Sequence, residues 1–170
     1  MDELIGLIYD SVLEPGLSVA AVDKLRLMLG ASAAWILTPL GEDVAFELRI
    51  NLSDQDAERY VHAYRKIDPL WLAHIANPEA STNIACRNCD MLTEAEWTSS
   101  TLYKDLCAPA NIGHVIATGL VPGGNVPPRS LSFARPLKSC QFTEQHRALF
   151  QAAIPHILRA SRLRHAIALR

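Results

Sequence analysis

The sequence predicts an α/β protein of the α+β type: a central antiparallel sheet of about five strands, flanking helices, and a long C-terminal helix. Three observations predict it. Strand patterns come as adjacent pairs joined by turn residues, which favours antiparallel pairing. Segments with helical periodicity stand before, between and after those pairs. From about residue 142 to 170 the chain carries one broad apolar stripe at helical spacing.

Leu4, Ile5, Ile8 and Val12 form the stripe of a first short helix, which the Glu14-Pro15-Gly16 break ends. Ser18 is placed to cap a second helix with Val22, Leu25, Met28 and Leu29 on one face, and Gly30 suits its left-handed C-terminal cap. The continuous apolar run AAWILT from Ala33 fits a central strand, and Pro39-Leu40-Gly41 a turn. Val44, Phe46, Leu48 and Ile50 then alternate at period two, completing a hairpin.

Ser53 and Asp56 have capping-box spacing and open a helix carrying Ala57, Tyr60, Val61 and Tyr64, interrupted at Asp68-Pro69. Residues 76–92 have no sustained period and read as a loop over one face of the sheet. Thr93 and Glu96 form a second capping box before a helical stretch to about Cys107 with Trp97, Leu102, Tyr103 and Leu106. HVIATGLV and SLSFA, joined by PGGNVPP, read as a second hairpin. The last helix starts at Phe142-Thr143-Glu144, with Pro155 a potential kink.

A length of 170 residues, 49% hydrophobic and 20% charged, fits one globular domain, here 1–170. No apolar run is long enough to cross a bilayer and the N-terminus is acidic, so a cytoplasmic protein with no membrane partner is expected. In that compartment Cys86, Cys89, Cys107 and Cys140 should be reduced thiols without a structural disulfide. A net charge of −2 argues against nucleic-acid binding by the chain as a whole. After Glu144 there are no acids, while Arg147, Arg159, Arg162, Arg164 and Arg170 follow, as a solvated helix face would carry.

Catalytic fingerprints are missing: there is no Gly-x-Ser-x-Gly elbow, phosphate loop or dinucleotide-binding glycine pattern, and the chain reads as a non-enzyme with no cofactor and no metal. A pair such as Asp68 with His74 could still meet in space. Cys86-Arg-Asn-Cys89 has zinc-knuckle or dithiol spacing, but no second Cys-x-x-Cys completes a ribbon. A thiol-dependent redox enzyme or sensor using Cys86, Cys89 and Cys107 is the alternative function, and incidental loop cysteines the simpler reading. Tyr60, Tyr64, Asp68, Trp71, Trp97, Tyr103 and His114 combine large surfaces with polar tips, which suits a pocket for a partly apolar small molecule. The same aromatics at helical spacing also suit a core.

The string YVHAYRKIDPLW resembles the helix and Asp-Pro element in sensor domains of LuxR-type transcription regulators, and STLYKDLCAPANIGHVIATGLV is similar to their later helix-to-strand segment. FTEQHRALFQAAIPHILRASRLRHAI is similar to the long helix that leads from such sensors toward the helix-turn-helix. The resemblance implies a PAS/GAF-like fold and a small-molecule ligand, of the kind met in quorum sensing, that biases the dimer and DNA-binding state. It further implies a homodimer through the C-terminal helix, and DNA contact only through a domain absent from this chain. In the members that bind acyl-homoserine lactones, Trp and Tyr four residues apart and then Asp-Pro hold the ligand's head. Tyr60, Tyr64 and Asp68 match those positions, with Tyr replacing Trp and Asp-Pro following at shorter range.

Overall fold

The computed structural model describes residues 1–170. Two helices open the chain, α1 (Asp2–Leu13) and α2 (Leu17–Met28), followed by the hairpin β1 (Ala33–Leu40) and β2 (Asp43–Ile50). Next come α3 (Asp54–Arg59), α4 (Pro69–Ala76), a two-residue strand β3 (Cys86–Arg87), α5 (Asn88–Met91) and α6 (Glu94–Thr98). The second hairpin, β4 (His114–Leu120) and β5 (Arg129–Arg135), leads to the long helix α7 (Glu144–Ala168). The five strands form one antiparallel sheet in the order β2-β1-β5-β4-β3. No helix is long and apolar enough to cross a membrane.

Each side of the sheet is covered, because successive side chains of a strand point to opposite faces. Ala34, Ile36, Ile116, Leu131 and Phe133 pack against α1, α2 and α7, where Leu4, Ile8, Leu25, Phe150 and Ile154 complete the larger core. The Phe133 and Phe150 rings meet edge to face at 5.2 Å between centroids. Ala33, Trp35, Val115, Ala117 and Ala134 point the other way, toward Trp97, Leu102 and Leu106.

The capping signals act as expected at Ser53 and Thr93, whose hydroxyls accept from the amides of Asp56 and Glu96, and Thr143 caps α7 in the same way through the amide of His146. Gly30 takes φ +60 after α2. Other expectations need correction. Ser18 lies inside α2, which begins at Leu17, and its hydroxyl accepts a hydrogen bond from Arg164 instead of capping the helix. Pro39 and Leu40 belong to β1, so the hairpin turns at Gly41, with φ +63. The segment 76–92 is not all loop: β3 adds the fifth strand beside β4, and α5 follows directly. Asp68-Pro69 does not only end a helix; Asp68 caps α4 with Pro69 in its first turn. The helix α7 runs through Pro155 without interruption.

The period-two stripe of β2 also divides. The β1–β2 register shifts between Ile36/Leu48 and Leu37/Phe46, so Glu47 is an extra residue in a β-bulge. One additional residue reverses side-chain parity. Val44 and Phe46 therefore face one side of the sheet, while Leu48 and Ile50 join the helical core on the other.

Candidate ligand-binding site

The face of the sheet away from α1, α2 and α7 is only partly filled by the layer of α3, α4 and α6. A cavity of about 230 Å³ lies between them. Trp35, Leu37, Phe46, Val115, Ala117 and Ser132 form its floor, and Tyr60, Asp68, Leu70 and Trp71 close it from above. Apolar surface dominates, with a few polar groups converging on it, as small-molecule sites usually do.

Backbone irregularity positions the upper wall. After α3 the helix widens into a π turn at Tyr60–Tyr64, with the amide of Arg65 returning to the carbonyl of Tyr60, then tightens into a 3-10 turn at Arg65–Ile67. A second π turn, Tyr103–Cys107, borders the same layer. Arg59 donates to the Asp105 carbonyl at 3.1 Å and joins the two turns at the surface.

Asp68 is the polar centre of this wall, with only 8% of its surface exposed. One carboxylate oxygen accepts from the amides of Leu70 (2.9 Å) and Trp71 (3.4 Å), and the other from the Tyr60 hydroxyl (2.7 Å). Burial pushes the Asp68 carboxyl above its ordinary range, opposed by these donors, which favour the charged form. Burial and the neighbouring Asp68 charge raise the Tyr60 phenol well above its usual value. Arg65 stacks its guanidinium 3.6 Å from the centroid of the Trp71 ring, and Trp71 lies 5.5 Å from the His74 ring. His74 hydrogen-bonds Ser81 at 2.6 Å, not Asp68, so the acid–base pair the sequence allowed is not formed. Across the cavity Ser132 is 7% exposed and lines the floor.

No protein-family profile matches the sequence, and no curated protein matches it. Among solved structures, the ligand-binding domain of VqsR from Pseudomonas aeruginosa is similar, with a TM-score of 0.75, 16% identity and coverage of 97% of this chain and 96% of that one. The N-acylhomoserine lactone dependent LuxR family transcription factor CepR2 from Burkholderia cenocepacia gives a TM-score of 0.66 at 13% identity, covering 94% and 92%. A phycoerythrobilin-bound GAF domain from a cyanobacterial phytochrome gives 0.64 at 8% identity, covering 98% and 97%. The fold is that of LuxR-type and GAF sensor domains.

On this fold, four of the seven residues singled out in the sequence line the cavity: Tyr60, Asp68, Trp71 and Trp97. The polar tip of Trp97 is already used, because its indole N–H donates to the Gly113 carbonyl at 3.0 Å. The other three lie outside the lining. Tyr64 turns its hydroxyl to the surface between Arg59 and Asp105, each 3.4 Å away. Tyr103 packs edge to face on the far side of Trp97, 5.4 Å between centroids. His114 is held at the start of β4, where its Nε2 donates to the Ser139 carbonyl at 2.8 Å.

Trp35, Phe46 and Ser132 are cavity residues that the sequence reading missed. Trp35 sits in an unbroken apolar run, which carries no sign of which face is which. Ser130 and Ser132 did leave a signal, two hydroxyls at period two within an apolar strand.

The thiols are separated by burial. Cys86 and Cys107 are buried and line the cavity, whereas Cys89 and Cys140 are exposed, and all four are free. Burial raises the Cys86, Cys89 and Cys107 thiols, most strongly Cys107. This opposes the thiolate that redox catalysis needs. No three His, Cys, Asp or Glu side chains come together as a metal cage.

Proposed function

We propose that this chain is the small-molecule-sensing domain of a LuxR-type transcription regulator, and that its ligand occupies the cavity beneath Tyr60, Asp68 and Trp71. The observation that carries the proposal is an apolar cavity with the hydrogen-bonded Tyr60–Asp68 pair on one wall and the Ser132 hydroxyl on the other. Such a site suits a molecule with an apolar body and one polar head that both donates and accepts hydrogen bonds. Asp68 would accept from that head and Ser132 would donate to it. The lactone dependence of CepR2 makes acyl-homoserine lactones the first ligands to try, and the complex of the similarly folded SdiA with octanoyl-rac-glycerol adds monoacylglycerols.

Ligand would bias a two-state equilibrium by favouring one arrangement of the sensor. The long helix is the proposed dimer contact, since Leu163, Ile167 and Leu169 are exposed near its end. DNA would be bound by a further domain, and the proposed setting is the cytoplasm.

Thermal unfolding tests the ligand claim. A true ligand raises Tm with concentration, by about 2.7 kcal/mol of stabilisation at 100 times its Kd. All three tryptophans, Trp35, Trp71 and Trp97, line the cavity, so its occupation also changes intrinsic fluorescence. If neither lactones, glycerides nor a broad metabolite panel moves either signal, the proposal fails.

A further inference from the structure

A second hollow, of about 290 Å³, lies on the opposite face of the sheet between α1, α2, α7 and strands β1, β2, β4 and β5. Leu4, Ile8, Leu25, Leu48, Leu131 and Ile157 give it apolar walls, and three charged groups, Glu47, Arg129 and Arg164, line it. Their charges do not balance. Arg129 takes the one carboxylate as an ion pair, its Nε 2.6 Å from Glu47 Oε2, although the two are not aligned for a hydrogen bond. Arg164 forms no salt bridge. Its Nη2 donates at 2.9 Å only to neutral oxygens, the Ser11 carbonyl and the hydroxyls of Ser11 and Ser18. Its Nε is buried without any acceptor. Burial and the Arg129 charge both disfavour the cationic form of Arg164, as two guanidinium groups sharing one carboxylate should.

We propose that this hollow binds a medium-chain fatty acid, its carboxylate on Arg164 and its chain along Leu4, Ile8, Leu48 and Leu131. A carboxylate supplies both the missing negative charge and an acceptor for the orphaned Nε, in the planar geometry a guanidinium fork prefers. The volume is close to the lower end of small-molecule sites, about 300 Å³, which suits a short chain rather than a long one. The site is independent of the first cavity and can exist whether or not that cavity binds anything.

Octanoate is the probe, with octan-1-ol as the neutral control, titrated into the whole chain while Tm and tryptophan emission are followed. Octanoate should raise Tm and octanol should not. Emission should stay unchanged, because no tryptophan lines this hollow. Arg164→Gln should weaken octanoate at least tenfold. That variant also cuts the tether to Ser11 and Ser18, so Glu47→Gln is the complementary test: removing the competing carboxylate should tighten octanoate several-fold. The proposal is overturned by the absence of any shift in both the parent and Glu47→Gln. It is equally overturned by an equal response to octanol, or by a shift that alters emission and ignores both variants, which places octanoate in the first cavity.

Discussion

Burial and hydrogen bonding pull the protonation of Asp68 in opposite directions. Its folded-state pKa is raised by burial, so its contribution to stability is fully present below its unfolded value, near 3.8, and is lost as pH rises through the folded value. Asp68→Asn removes that titration. The stability of the parent relative to Asp68→Asn should therefore be greatest near pH 4 and fall toward pH 7, measured by urea unfolding at each pH. A ratio that rises with pH would mean that the Tyr60, Leu70 and Trp71 donors outweigh burial. Gly113 is a second sensitive position. A Cβ there would stand 2.6 Å from the Leu137 Cα, a backbone atom that cannot swing aside. Gly113→Ala should cost about 1–3 kcal/mol in chemical denaturation. At this scale the sequence was readable where the interaction is local: Ser53, Thr93 and Thr143 cap because the partner amide is three residues away. Tyr64, Tyr103 and His114 lie outside the cavity because Asp105, Trp97 and Ser139 decide their orientation, and none of those contacts has a fixed spacing.

The elements differ in how much they depend on distant partners. Helix α7 is set by its own cap and stripe, and Phe150 and Ile154 are buried in the core it completes. Phe150→Ala should therefore cost about 3–5 kcal/mol, read as a lowered urea midpoint. Pro155 is exposed inside the same helix and can donate no amide to the Gln151 carbonyl. Pro155→Ala should stabilise the chain by about 1–3 kcal/mol, visible as a raised Tm; a neutral result would mean the surrounding helix has relaxed around the ring. The paired strands and the long helix follow from periodicity over many residues. The strand β3 does not, since two residues have no period, and only pairing with Ile116 and Ala117 makes them a strand. The bulge at Glu47 was hidden for a related reason: Val44, Phe46, Leu48 and Ile50 alternate without fault in the sequence, and only the partner strand reveals that they serve two faces.

For the whole molecule, the arrangement of layers makes the thiols a test of packing. With a disulfide-forming reagent, Cys140 and Cys89 should react quickly in the folded protein, while Cys86 and Cys107 should wait for unfolding. Rapid labelling of Cys107 would show that the layer over the cavity opens readily. Fold class was legible because hairpins and helices leave long-range order in the residue pattern. The cavity was legible only in part, because a hollow is defined by what fails to fill it, and Ser132, Phe46 and Trp35 meet Asp68 and Trp71 from four separate segments. The sheet that divides the two hollows also has protected rims. On one side β3 stops after two residues and turns into α5; on the other, β2 is bent by its bulge and carries Asp43, Glu47 and Arg49. Short, bulged and charged borders resist the addition of a further strand. This chain is thus guarded against growing into ribbons by edge-to-edge pairing, and contacts between copies are left to helix surfaces.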